Sequence, residues 1–276
     1  MKKLSLFLKK NKLFTVFLLL GILVILIALA APYLPLQDPQ LTDMADTLKT
    51  PSSEHWFGTD KLGRDLFSRV VYGARTSLST AFLLVSVILV IGSILGIVSG
   101  YFGGIVDAVI MRIADMMIAF PGLVLAIAIA GILGSNLTNA VIAIAAVSWP
   151  KYARLARSLV LKVKNKDYVA AGTLTGSKTG HMLWKYMLPM TLPTMVITAA
   201  TDIGKMMLEV AALCFLGFGA QPPTPEWGLM LNEGRLYLQT APHLMIFPGL
   251  AMFLVVVIFN LLGDSLRDIL DPRDDS

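Results

Sequence analysis

A chain of 276 residues that is 56% hydrophobic, only 15% charged and has a mean hydropathy of +0.73 carries more apolar surface than one soluble core of this size needs. Its net charge of +5 gathers in segments that flank apolar runs, which points to membrane topology and away from nucleic-acid binding. The lone Cys214 excludes an internal disulfide, and His55, His181 and His243 are too scattered to suggest a metal site.

The pattern predicts an all-α membrane protein of about six transmembrane helices. Residues 1–12 hold Lys2, Lys3, Lys9, Lys10 and Lys12 without an acid, and should stay in the cytoplasm. Residues 13–31 follow as the first transmembrane helix. Ala28-Leu29-Ala30 imitates a signal-peptide cleavage site, but the apolar run exceeds an h-region, which favours an uncleaved helix. Pro32, Pro35 and Pro39 then open a charge-balanced segment, 32–76, expected outside.

A five-helix core is predicted over 77–263. Its first member, Leu78 to Gly100, carries Gly92, Gly96 and Gly100 on one face, a pattern for close helix packing. The next, Val106 to Leu133, has Asp107, Arg112 and Asp115 near one end, with Arg112 placed to pair with Asp115, and a kink expected at Pro121. A fourth starts near Thr138 and runs into a basic stretch, with Trp149 and Tyr152 expected at the membrane interface. The fifth, Pro193 to Phe218, sets Asp202, Met206 and Glu209 on one face with Lys205 nearby. That stripe reads either as a pathway lining or as a self-neutralised cluster against a partner. The last spans Met245 to Leu262, and the tail 264–276 returns to the cytoplasm.

Between the fourth and fifth spans lies DYVAAGTLTGSKTGHMLWKYMLP, residues 167–189. Lys151, Arg154, Arg157, Lys162, Lys164 and Lys166 lead into it, marking it as cytoplasmic. It resembles the coupling loop of ABC importer permeases, which docks on a cytoplasmic ATPase. Ala171 and Gly172 stand at the family's two alanines, Gly176 at its glycine, and Leu188-Pro189 at its end. Ala170 occupies the family's glutamate position, so that carboxylate is missing. By this resemblance the coupling residues are Asp167, Tyr168, Ala170, Ala171, Gly172, Gly176, Leu188 and Pro189.

The stretch His55 to Leu78 matches the dipeptide, oligopeptide and nickel branch of the same family through Gly58, Thr59, Asp60, Gly63, Arg64, Asp65, Ser68 and Arg69. FLGFGAQPPTPEWG (Phe215 to Gly228) and NLLGDSLRDILDPR (Asn260 to Arg273) are similar to that branch too. The resemblance implies an inner-membrane permease with four kinds of neighbour: a second homologous permease, two ATPases that use ATP and Mg, an external substrate-binding protein, and membrane lipid. It implies no cofactor on this chain and both termini in the cytoplasm of a bacterium or archaeon.

No catalytic or metal-ligating set emerges, since Asp60, Arg64 and Asp65 have no companion nucleophile. Gly172 with Ser177-Lys178-Thr179 approaches a phosphate-binding loop, but Ser177 replaces its second glycine and no strand precedes it. For the cargo, Asp202 to Gly217 is most similar to nickel-import permeases, which favours nickel or a nickel chelate. A dipeptide or oligopeptide is the alternative. An ATP-independent channel or secondary transporter is the alternative of another class, although no internal inverted repeat is visible.

Overall fold

The computed structural model describes residues 11–270. Lys2, Lys3, Lys9, Lys10 and residues 271–276, on which the expectations for the two chain ends fall, lie outside the described residues.

Helix α1, Lys12–Ala30, is an unbroken apolar rod that stops where Pro32 enters a 3-10 turn. An irregular cap follows, in which Thr59 and Asp65 form a β-bridge. Helix α2, Leu66–Phe102, has 37 residues and is therefore about 56 Å long. It starts eleven residues before the predicted boundary at 77, because Asp65 caps it by accepting a hydrogen bond from the Ser68 amide at 2.8 Å. Ser68, Arg69 and Ser77, polar residues that make this first stretch read as loop, are buried.

Helices α3, Gly104–Ile118, and α4, Gly122–Leu133, replace the expected single kinked span. They meet at 94°, with Pro121 unable to continue the ladder of α3 and standing at the start of α4. Helix α5, Leu137–Lys164, is capped by the Asn136 side chain. Two short helices, α6 (Asp167–Leu174) and α7 (Thr179–Met182), lead through a π-helical turn at Leu183–Met187 into α8, Leu188–Phe215. Pro189 removes one amide donor and crowds the preceding turn, and the widened turn accommodates both effects. Helices α9, Trp227–Gly234, and α10, His243–Leu270, complete the fold. The last helix runs past residue 263, into the expected tail.

Contacts fix the direction of each leg. Gly92 meets Trp149 and Tyr152, Gly96 meets Ala153 and Ala156, and Gly100 meets Arg157 and Val160, so α2 and α5 run parallel. A Cβ at Gly96 would overlap the Ala153 backbone, and only glycine permits this approach. Gly204 lies against Val256 and Asn260, and Gly263 against Thr201, so α8 and α10 run antiparallel. Gly21 touches Ile258 and Leu262, while Ala28 joins the cluster around Leu66, so α1 rises toward the cap. Consequently the cap lies at one end of the bundle, and the segment 165–187 lies at the other.

Among the described residues, three helices are long and apolar enough to cross a bilayer, or four with α3 and α4 counted as one bent span. Helices α5 and α8, 28 residues each and about 42 Å long, have the length that the two further expected traversals require. Their charged side chains lower their apolarity, and several of those charges pair with other legs of the bundle.

Candidate functional site

Charge pairing begins on α5. Arg157 grips Asp107 with Nε–Oδ1 at 2.5 Å and Nη2–Oδ2 at 2.6 Å, and Arg154 pairs with Asp115. Asp115 therefore bonds across to α5 and not to Arg112 on its own helix, the partner expected from spacing. Trp149 and Tyr152 are buried and do not sit in an interfacial belt. The Tyr152 hydroxyl donates to Asp202 at 2.9 Å, and Lys151 Nζ reaches both oxygens of the same carboxylate at 2.6 and 2.7 Å.

This clamp divides the polar stripe of α8. Asp202 is 6% exposed and Met206 2%, so both face this chain's own interior and not an open partner surface. Glu209 is half-buried and lies 3.6 Å from Lys205, which is exposed. The expected Asp-Lys-Glu cluster is thus two pairs, because α5 supplies a closer cation to Asp202 than α8 itself does.

At the opposite end from the cap, α6 and α7 fold onto each other. Gly172 faces Met182 and the Tyr186 ring, and Tyr168 stacks on Tyr186 with centroids 6.2 Å apart. Gly176 closes α6 with φ +77°, a left-handed turn that suits glycine, and its amide donates to Thr173 O at 3.0 Å. Asp167 opens α6, where a negative charge suits the helix N-terminus. Ala170, Ala171, Leu174, Trp184 and Pro189 stay exposed, giving a small-residue and apolar surface, while Leu188 is half-buried at the start of α8. Gly172 sits inside a helix and Ser177-Lys178 in the link between α6 and α7, so these residues form no strand-to-helix phosphate cradle.

The cap is built around buried charge. Arg64 and Arg69 are each 1% exposed. Arg64 Nε lies 2.6 Å from Asp60, and Arg64 and Arg69 reach Glu233 at 3.2 and 3.3 Å. Arg69 also donates to the carbonyls of Pro39 and Pro223. Trp227 Nε1 donates to Val70 O at 2.9 Å, and Glu226 accepts from Ser77 and from the Leu229 amide. These bonds fasten α9 over the first turns of α2. Asp60 and Arg64 are therefore joined as structure, with Glu233 as a member that sequence spacing could not reveal, while Asp65 caps α2 and meets His55.

His55 completes the cap, with Nδ1 3.0 Å from Asp65 and Nε2 3.0 Å from Asp46. Burial alone would depress its pKa. The two carboxylate hydrogen bonds and their charge outweigh that and hold it above the ordinary histidine value. Asp46 is held below the usual carboxylate range, first by Lys49 and then by His55.

A bundle of six helical legs, with a fastened polar cap at one end and a paired-helix surface at the other, has the architecture of a transporter's membrane subunit. Two solved structures share it. The inward-facing MetNI methionine ABC transporter aligns at TM-score 0.58 and 18% identity, over 74% of this chain and 97% of that one. An amino acid ABC transporter aligns at 0.54 and 16% identity, over 72% and 92%.

The family model for the binding-protein-dependent transport system inner membrane component matches residues 92–274, and the chain belongs to that family. Its relatives include the dipeptide transport system permease DppC of Alkalihalophilus pseudofirmus, 47% identical over 96% of this chain and 88% of that protein. The glutathione permease GsiD of Pectobacterium atrosepticum is 46% identical over 91% and 84%, and the nickel permease NikC of Escherichia coli K12 is 43% identical over 91% of each. The chain is thus a permease subunit of an ABC importer in the dipeptide, glutathione and nickel group.

Proposed function

We propose that this chain forms half of an ATP-driven import pathway in a bacterial or archaeal cytoplasmic membrane, paired with a second homologous permease. Two separate ATPases, using ATP and Mg, drive the complex; one docks on residues 167–189, the other on the second permease, and a substrate-binding protein delivers cargo to the cap. The observation that carries this reading is the exposed surface of Ala170, Ala171, Leu174 and Trp184 at the end of the bundle remote from the cap. Lys162, Lys164 and Lys166 beside it support a cytoplasmic location, with both chain termini on that side and the cap outside. The chain itself needs no cofactor. The outer face of α8, with Lys205 and Glu209, borders the pathway, while Asp202 and Met206 hold that helix against its neighbours.

The cargo is a small peptide, supported by the dipeptide relative's identity across nearly the whole chain. Nickel or a nickel chelate is the second reading, favoured by the nickel relative and by the stretch Asp202 to Gly217. Proteoliposomes holding the complete transporter should accumulate labelled dipeptide when ATP is enclosed, and should do so in preference to labelled nickel, with or without a chelator. ATP-dependent nickel accumulation without peptide uptake would reverse the order of the two readings. Uptake that proceeds without the ATPases would remove the importer assignment.

A further inference from the structure

Near the cap end, a cavity of about 830 Å³ opens beside the first third of α2. Tyr72, Arg75, Thr76 and Ser79 line it, spaced i, i+3, i+4 and i+7 on one face of a helix that is otherwise mostly apolar. Asp38 of the cap lines it as well. The volume falls within the range of small-molecule sites.

Arg75 differs from its neighbours on this helix and its cap. Arg64 and Arg69 are buried and neutralised by Asp60 and Glu233. Arg75 is exposed to the cavity and makes no hydrogen bond or ion pair among the described residues, Asp38 included. Among the described residues the Asp38 carboxylate accepts only from the nearby Gln40 amide, at 2.9 Å, and has lone pairs to spare. The cavity therefore presents an unpaired guanidinium and an open carboxylate that do not satisfy each other. A guanidinium is the group best shaped to take a carboxylate through two parallel hydrogen bonds.

We propose that this cavity holds cargo on the cap side and that Arg75 receives the cargo's carboxylate, with Asp38 facing a cationic end. A short peptide carries both groups at its termini. The proposal rests on the peptide reading above and narrows it to cargo with a free carboxylate. Thr76 and Ser79 add hydroxyls that can bond a peptide carbonyl or amide. Sequence spacing alone could have flagged this face, since four polar residues recur at helical intervals there.

The test compares a labelled dipeptide with its C-terminal amide in proteoliposomes holding the complete transporter and its binding protein. Wild type, Arg75→Lys and Arg75→Gln are measured, and the ratio of acid to amide uptake is taken within each preparation, so that lost assembly cancels. Arg75→Gln should lower that ratio about tenfold or more, and Arg75→Lys should lower it less. An unchanged ratio, or equal loss of both peptides, overturns the proposal and leaves the cargo reading standing. If wild type carries only the free acid, its uptake by Arg75→Lys must exceed that by Arg75→Gln, and equality overturns the proposal. A wild-type complex that moves neither peptide overturns the cargo reading and this site together.

Discussion

His55 joins Asp46 and Asp65 across nine and ten residues of an otherwise irregular cap, so its charge matters more than its size. Its pKa is raised on folding. The stabilisation is therefore fully present below the unfolded value, about 6.5, and is lost as pH rises through the folded value. Amide exchange over residues 43–65, corrected for its intrinsic pH dependence, should show protection that weakens as pH rises from 6 to 9. His55→Gln should remove that pH dependence and cost about 1–3 kcal/mol at pH 6, where Asp65 loses its charged partner. Protection in His55→Gln that still declines over the same range would assign the effect to another group. The clamp on Asp202 makes a related point about partners. Lys151 and Tyr152 lie fifty-one and fifty residues away in sequence, and no local spacing could have named them.

Among the elements, the helix pair α6–α7, the proposed ATPase surface, depends on one backbone conformation. At Gly176 an added Cβ would meet nothing within 4 Å, so space does not require glycine there, but φ of +77° does. A left-handed residue with a side chain costs roughly 1–2 kcal/mol, more for a β-branched one and less for asparagine. Gly176→Val should therefore reduce ATP-driven uptake several-fold, while Gly176→Asn should retain most of it at equal amounts of protein. Equal uptake by both variants would detach this turn from the transport cycle. Helices α1 and α10 were legible as apolar runs, and the glycine spacing of α2 marked a close-packing face without naming α5 as its partner. The start of α2 was not legible, because Arg69 and Ser77 resemble loop residues until α9 and the cap supply their partners. The sharp corner between α3 and α4 was readable only as a kink, since Pro121 marks where a ladder stops and not how far the chain then turns.

For the whole molecule, the parallel run of α2 and α5 and the antiparallel run of α8 and α10 put the cap and residues 165–187 at opposite ends of the bundle. With buried Cys214 replaced, a cysteine at Glu54 should react with a membrane-impermeant thiol reagent from outside intact cells. One at Lys178 should react only after the membrane is opened. Labelling of the Lys178 position from outside would invert the protein and move its proposed ATPase surface out of reach of ATP.

The glycine seats between α2 and α5 bear on how such a machine can move. Each seat engages a different turn of α5, so neither helix can slide past the other without driving side chains into backbone. The two behave as one spar about 56 Å long, bolted at its upper end by Arg69 and Trp227 and tied at its lower end by Lys164 to the Tyr101 carbonyl. A stiff spar stores little deflection. A push delivered at the lower end would arrive at the upper end as tilt of the whole spar, with bending left to breaks in the helical ladder such as the corner beside Pro121.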